Sequence, residues 1–448
     1  MNRLFGTDGI RGTAGEPPLD DNTVARIGFS LANQLRSSDP ATSPLIVIGR
    51  DTRQSGAAIE AAVAAGAARA GARVKSAGII TTPGVAYLTR HHRADAGVVI
   101  SASHNPYQDN GIKIFSASGK KLSDQIERTI ESEVAVDVDS FPGFDVSAVE
   151  SDSSLKESYL EFLKRDVADG LNLKGMKIVI DCAEGASFEL APQLLTALGA
   201  DVTAIHVKPD GRNINLNCGS LHPEELQDRV VKSGAPLGIA FDGDADRMLM
   251  VDEDGRLLDG DYILYILGLN LKSAGKLKGN RIVATVMSNL GLELALNESE
   301  IELVRTSVGD KYVLDELLRG GGSIGGEQSG HIIFPEISLA GDGMITAIEL
   351  LRVLGGAKKS VKELAAGFTR LPQVILNVRV ARKPPLESIE AVAQAIKELE
   401  DTLKGNGRIL VRYSGTENLA RIMIEGKDES QISRQARDLA AVIERELG

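Results

Sequence analysis

The sequence predicts an α/β protein built of three similar α/β domains with mixed, mostly parallel sheets and a smaller C-terminal α+β domain. Three observations predict it. A strand, a turn, a helix and a glycine-marked step into a second strand recur three times along the chain, the pattern of βαβ units. The pattern changes after residue 371. The chain has 448 residues, too many for one compact hydrophobic core.

The first unit runs from an apolar strand at 45–48 through an Ala-rich helix at 59–69 and the step Ala70-Gly71-Ala72 to a strand near Val74. The second opens at 177–181, continues through a helix at 190–198, and reaches a strand at 202–205 by way of Gly199-Ala200-Asp201. The third has a strand at 281–286, a helix near 291–296 and a strand near 301–305. The segment 137–154, rich in Asp, Ser, Pro and Gly, reads as a linker between the first two domains. Beyond residue 371 come a strand at 374–380, a helix at 386–403 entered through Pro384-Pro385, strands at 408–411 and 420–425, and a terminal helix. The expected domains are 1–155, 156–257, 258–370 and 371–448.

Composition narrows the function. With 50 basic and 62 acidic side chains the net charge is -12, which disfavours nucleic acid and acidic membranes as partners, so an anionic substrate needs a local basic pocket. The two cysteines, Cys182 and Cys218, are far apart without a CxxC spacing, which argues against a disulfide framework or a structural zinc site. The opening MNRLFGTDGIRG lacks the apolar core of a signal peptide, and no run approaches the ~20 apolar residues of a membrane span, so a cytoplasmic protein is expected.

Four segments carry possible chemistry. The apolar strand at 97–100 runs into Ser101-Ala102-Ser103-His104-Asn105-Pro106, where Pro106 forces a turn that can present Ser103 as a nucleophile beside His104. An isolated Ser-His pair is more often a turn satisfying its own backbone, and Ser101 fits that description. The strand before Asp242-Gly243-Asp244-Ala245-Asp246-Arg247 ends in three alternating carboxylates. Fully extended, alternate side chains would stand ~6.6 Å apart, too far to share one ion, so the loop must curl. Three crowded like charges point to a hard cation, and magnesium suits carboxylates with positions open to phosphate. An EF-hand does not fit, because Arg247 takes the place of its glycine and strands flank the loop. A phosphatase with Asp242 as phosphoryl acceptor is the serious rival. Arg247 can pair with the carboxylates or reach a phosphoryl oxygen.

The third segment, Arg412 followed by Ser414-Gly415-Thr416, with Arg421 on the next strand, has the hydroxyls, backbone N–H groups and guanidinium of a phosphate cradle. The fourth, Gly325 to His331, offers Glu327 and Ser329 as an acceptor and a two-way hydroxyl suited to adjacent sugar hydroxyls. Each of these two alone is equally a polar hairpin tip.

Together SASHNP, DGDADR, GEQSGH and RYSGTE resemble, in order and over essentially the whole chain, the serine, metal, sugar and phosphate loops of the α-D-phosphohexomutase family. The resemblance implies four domains around a central cleft, a phosphorylated Ser103, and Mg2+ shared by Ser103, Asp242, Asp244 and Asp246. It also implies a hexosamine or hexose 1,6-bisphosphate as intermediate or activator. By matching position, Arg11, His104, Lys113 and Arg247 would line the phosphoryl-transfer site; Glu327, Ser329, His331, Arg412, Ser414, Gly415, Thr416 and Arg421 would bind the phosphosugar. FGTDGIRG, SVGDKYV and GGEQSGH are similar to the bacterial branch acting on glucosamine phosphates for cell-wall precursors; glucose or mannose phosphates are the alternative substrates. A monomer or homodimer is expected. Three positions depart from the family pattern: Ala245, Tyr413 and Ala340. Ala245 would disturb the metal loop only if its φ is positive.

Overall fold

The computed structural model describes residues 4–6, 8–36, 43–135, 149, 151–414 and 417–448. Most of the expected linker 137–154 lies outside the described residues; its last two residues begin the helix Ser153–Phe162. The chain divides into two compact units, Met1–Met287 with Leu303–Ala365, and Ser288–Glu302 with Ala366–Gly448.

The first unit contains three sheets. In the first, β1 (Ile10–Thr13), β2 (Leu45–Arg50), β3 (Arg73–Ile79), β4 (Ala96–Ile100) and β5 (Asp109–Ser116) lie in the order β1-β5-β4-β2-β3. The second has β6 (Lys177–Asp181), β7 (Asp201–Ile205), β8 (Leu237–Phe241), β9 (Met248–Asp252) and β10 (Leu257–Leu258) in the order β10-β9-β8-β6-β7. In the third, β11 (Arg281–Thr285), β12 (Glu302–Thr306), β13 (Gly325–Gly326) and β14 (Ile332–Ile333) run in the order β12-β11-β13-β14. Four strands correspond in all three sheets, β5-β4-β2-β3, β9-β8-β6-β7 and β14-β13-β11-β12, while the added edge strand is the first of its domain in one sheet (β1) and the last in the other (β10). The repeat in the sequence is therefore a repeat of topology. In the first two sheets the strands β2, β3, β4 and β6, β7, β8 are parallel, and the next strand, β5 or β9, returns antiparallel.

That reversal positions the chemistry. β4 (AGVVI) and β8 (LGIAF) are buried at every residue, which is why they read as continuous apolar runs rather than alternating ones. Each ends in a polar loop: Ser103 follows β4, Asp242 follows β8, and Glu327 follows β13 at the equivalent place. In the first domain, the helices Asp21–Leu35 and Gly56–Arg69 cross at backbone distance. A Cβ on Gly28 would stand 2.2 Å from Val63 O, and one on Gly66 1.8 Å from Ala25 O, so only glycine permits the crossing.

The helices Ser153–Phe162 and Gly343–Ala357 are joined by a buried pair: Tyr159 Oη donates to Asp342 Oδ2 at 2.6 Å, while Asp342 Oδ1 caps the second helix, accepting from Met344 N (2.9 Å) and Ile345 N (3.1 Å). Burial pushes the Asp342 carboxyl from 3.8 up to about 6. The unfolded chain loses this proton first, so stability falls as pH rises through that window and the full cost is present above it. The cost is roughly 3 kcal/mol. In urea titrations Asp342→Asn, which keeps the cap, should gain on the natural chain by up to about 3 kcal/mol between pH 4 and pH 7. A constant difference across that range would contradict it.

The second unit carries an antiparallel sheet of β15 (Gln373–Arg379), β16 (Gly407–Tyr413) and β17 (Leu419–Gly426) in the order β15-β17-β16. The helices Glu390–Leu403 and Glu429–Leu447 cover it around Val378, Val392, Ile422, Ile424, Ile432 and Leu439. The single helix expected at 386–403 is instead a 3-10 turn, Leu386–Ser388, followed by the helix, because Ile389 is extended (φ -107, ψ 99). The helix Leu290–Glu298 of the third βαβ unit groups here: Asn289 Nδ2 donates to Leu371 O (3.0 Å) and to buried Glu425 (3.2 Å). Among the described residues no helix is long and apolar enough to cross a membrane.

Candidate active site

Ser103 sits in the turn between β4 and β5 with φ 51, the left-handed region that serine seldom occupies. Neighbouring groups hold it there. The buried Arg53 guanidinium donates to Pro106 O (2.6 Å), Asn105 O (2.9 Å) and Ser103 O (3.0 Å), and is itself fixed by Asp51 at 2.9 Å. Asn215 Nδ2 donates to Ser103 O (2.8 Å) and Asn105 O (3.1 Å). Ser101 Oγ donates to Asp51 (2.6 Å) and accepts from Ser103 N (2.9 Å), the structural part foreseen for it.

The loop after β8 curls as three alternating carboxylates require. Ala245 N donates back to Asp242 O at 3.0 Å, and oxygens of Asp242, Asp244 and Asp246 come within 4.8 Å of one another. Ala245 does have positive φ, 54. The conformation costs about 1–2 kcal/mol for an alanine, and Ala245 is held in it by its own carbonyl, which accepts from Gly343 N at 3.0 Å. The departure from glycine leaves the loop formed.

Serine and metal loops meet face to face. Ser103 Oγ donates to Asp242 Oδ2 at 2.5 Å. A Cβ on Gly243 would lie 2.5 Å from Ser103 O and 2.8 Å from Asn215 Nδ2, so this approach needs glycine. Gly243→Ala should push the loops apart and lower kcat by roughly 100-fold, the cost of about 1 Å of misplacement. An unchanged kcat would show that the approach is irrelevant to turnover.

Lys113, buried on β5, donates to Asp244 Oδ2 (3.0 Å) and Asp246 Oδ2 (3.3 Å) and lies 3.2 Å from Asp8. Burial opposes its charge, but Asp244, Asp8 and Asp246 outweigh this and raise its proton affinity well above that of an ordinary lysine. Lys113 is thus a fixed cation. Thr82 Oγ1 also donates to Asp244 Oδ2, at 2.6 Å. Burial and then Asp246 and Asp244 hold the Asp242 carboxyl well above the usual range. Asp246, though buried, is held well below it by Lys113, His331 and Arg247. The Oδ1 atoms of Asp244 and Asp246 are buried without a hydrogen bond. Crowded carboxylates with buried, unbonded oxygens fit a hard divalent cation.

His104 Nδ1 lies 3.5 Å from Ser103 Oγ and 3.1 Å from Arg247 Nη1. An arginine only donates, so Nδ1 accepts from Arg247 and the ring carries its proton on Nε2. Burial, then Arg247 and Arg11, push its pKa down to about 4, leaving His104 neutral at pH 7. Arg11 reaches Ala102 O and Asn105 Oδ1, both at 3.3 Å, and pairs with Asp8 at 2.6 Å.

The β13–β14 hairpin belongs to the same unit. Glu327 accepts from Gly309 N at 3.2 Å, and Ser329 Oγ is a buried atom without a hydrogen bond. His331 lies 3.7 Å from Asp246 and 3.8 Å from Asp310. Against its burial, Asp246, Asp310 and Glu327 raise its pKa to about 9, so it is an imidazolium at pH 7. In the second unit, Arg412 and Arg421 stand opposite one another on β16 and β17. Like charges in such a pair destabilise a sheet unless an anion lies between them. Lys383 donates to Ser414 O at 2.8 Å and Glu417 pairs with Arg421 at 2.8 Å. Gly415 and Thr416 lie outside the described residues.

Four domain models of one family match the chain in order: phosphoglucomutase/phosphomannomutase α/β/α domains I, II and III at residues 2–138, 157–255 and 259–371, and the C-terminal domain at 375–442. The chain belongs to the phosphoglucomutase/phosphomannomutase family. Among its relatives, the phosphoglucosamine mutase of Solibacter usitatus is 50% identical over 445 residues, covering 99% of each chain. That of Symbiobacterium thermophilum is 48% identical over 450 residues, covering 100% of each. Solved structures share the fold. A phosphoglucomutase/phosphomannomutase family protein of Burkholderia thailandensis superposes with TM-score 0.80 at 23% identity, covering 99% of this chain and 98% of that one. The N-acetylphosphoglucosamine mutase of Aspergillus fumigatus, solved with GlcNAc-6P and magnesium, gives 0.64 at 19% identity over 99% and 96%.

In this phosphohexomutase-family chain the structure brings Arg11, Ser103, His104, Lys113, the three aspartates, Arg247, Glu327 and His331 into one unit. The sequence reading overlooked several of their partners. Asp51 and Arg53 directly follow β2, a strand-end position that could have flagged them. Asp8 stands inside FGTDGIRG and Asp310 inside SVGDKYV, segments noticed only for resemblance. Thr82 and Asn215 have no local signal; only tertiary structure brings them in.

Proposed function

We propose that this chain interconverts glucosamine 6-phosphate and glucosamine 1-phosphate through a phosphoserine at Ser103 and a glucosamine 1,6-bisphosphate intermediate. The observation that carries the reading is the meeting of Ser103 Oγ with a buried three-carboxylate loop, lined by Lys113, Arg247 and Arg11, in a chain about half identical to phosphoglucosamine mutases over its whole length.

Asp242, Asp244 and Asp246, with a phosphoryl oxygen on Ser103, would hold Mg2+. When bound, the ion offsets charge on the phosphoryl oxygens. In the first transfer the bond from phosphorus to Ser103 Oγ breaks and one to the free sugar hydroxyl forms, the hydroxyl proton leaving to a base. In the second, the other phosphate of the reoriented bisphosphate returns a phosphoryl group to Ser103 Oγ. Lys113 and Arg247 act as fixed positive charges. His104 has committed its Nδ1 lone pair to Arg247. Such preorganised charge is the main contribution to phosphoryl transfer. Glu327, Ser329 and His331 are assigned to sugar recognition, and Arg412, Ser414, Gly415, Thr416 and Arg421 to an anion cradle, with the domains divided near 155, 257 and 370. The reaction belongs to the cytoplasm, in UDP-N-acetylglucosamine supply.

The test is to incubate the chain with Mg2+ and a trace of bisphosphate, and compare 1-phosphate formation from glucosamine, glucose and mannose 6-phosphates. The reading expects glucosamine 6-phosphate to give the highest kcat/KM. A preference for glucose or mannose would reassign the substrate within the family, and steady release of inorganic phosphate would replace the mutase with a phosphatase.

A further inference from the structure

A second cluster of metal-ligand side chains lies elsewhere in the second sheet's domain. Asp181 closes β6, His206 directly follows β7, and Cys218 comes from the connection that leads to the helix Glu224–Ser233. One donor atom from each, a carboxylate oxygen, a ring nitrogen and Sγ, lies within 4.8 Å of the others. A tetrahedral zinc ion with bonds of ~2.0–2.3 Å holds its ligands ~3.3–3.8 Å apart, so small adjustments suffice.

The imidazole decides how the cluster is read. His206 Nε2 lies 3.3 Å from Glu225 Oε2, which fixes a proton on that nitrogen. The other nitrogen, Nδ1, is a buried atom 3.0 Å from Asp181 Oδ1, so the ring bridges two carboxylates, and Asp181 first among its neighbours raises its affinity for a proton. The gap between Nδ1 and the carboxylate thus favours a cation, a proton in the metal-free chain or a metal ion that displaces it. Asp181 has an acceptor site to spare on Oδ2, which accepts only from Gly219 N (2.9 Å), while Oδ1 accepts from Ala183 N (2.8 Å) and faces His206. Cys218 is buried and unpaired, and its thiolate is a ligand that hard cations do not favour and zinc does.

We propose that Asp181, His206 and Cys218 bind one zinc-class divalent ion at a site separate from the three aspartates, with Glu225 orienting the histidine. Binding replaces the Cys218 thiol proton, which passes to solvent. The ion has a structural consequence. It ties β6 to the segment carrying Asn215, whose side chain holds the Ser103 and Asn105 carbonyls and whose N–H donates to Ala183 O at 2.9 Å.

The experiment uses the full chain stripped of metal and titrated with Co2+ in the presence of Mg2+, which occupies oxygen sites. The expected result is a thiolate-to-cobalt charge-transfer absorption that saturates at one equivalent and is displaced by Zn2+. It should be retained in Cys182→Ala and in Asp242→Asn, and lost in Cys218→Ala. Glu225→Gln should weaken Co2+ binding by about 10–100-fold. Absence of the band in the natural chain overturns the proposal, whatever the variants do, as does a band that survives in folded Cys218→Ala. Should Cys218→Ala not fold, Cys218→Ser takes its place with the same two outcomes.

Discussion

Ser103→Ala is expected to lower kcat for sugar-phosphate interconversion by on the order of 10^6, the scale seen when a covalent nucleophile is removed, while leaving the fold in place. The loss is large because nothing nearby can substitute: His104 is neutral with its lone pair engaged by Arg247, and the Asp242 carboxyl is protected by burial among like charges. The fold survives because the turn is built from backbone carbonyls held by Arg53 and Asn215, none of which involves the hydroxyl. Steady-state kinetics against glucosamine 6-phosphate and a thermal melt check both halves. Turnover near that of the natural chain would reject the phosphoserine route.

Asp242→Asn should act in opposite directions on metal binding and on stability. Removing one of three anionic ligands should raise the Mg2+ concentration needed for half-maximal activity by at least about 100-fold, since even outer-sphere partners of a metal are worth 10–100-fold. The metal-free variant at pH 8 should nevertheless be as stable as the natural chain or more so. Crowding with Asp244 and Asp246 destabilises the ionised Asp242, and an asparagine carries no such charge. Urea midpoints in chelator with and without added Mg2+ test the pair of effects. An unaltered Mg2+ requirement would remove Asp242 from the ligand set.

The fold was legible where hydrophobic runs are bounded by turn residues. The strand at 177–181 and the equivalent runs before Ser101 and Asp242 are buried on both faces, and such strands announce themselves as uninterrupted apolar segments. The break at Ile389 was not legible, because periodicity there continues across a residue whose backbone is extended. In the site, side chains that touch the reacting groups come from loops with dense polar signatures and were found. The groups that shape those loops were not: Arg53 and Asn215 act on carbonyls, which have no identity in the sequence, over separations of 50 and 112 residues. The positive φ of Ala245 is invisible for the same reason, as it arises from the closure of the turn on Asp242. Cys218 shows the limit most plainly. Its spacing from Cys182 excludes the usual zinc signatures, whereas the fold sets it beside an aspartate and a histidine contributed by two different strand ends.

The measurement that bears most directly on the whole account is peptide mass spectrometry of the enzyme quenched after mixing with glucosamine 1,6-bisphosphate and Mg2+. A phosphoryl group on the peptide spanning Ser103, lost again when excess monophosphate accepts it, is the predicted result. An unmodified Ser103 peptide in enzyme that is turning over, or a phosphoryl group found instead on the peptide carrying Asp242, would contradict it.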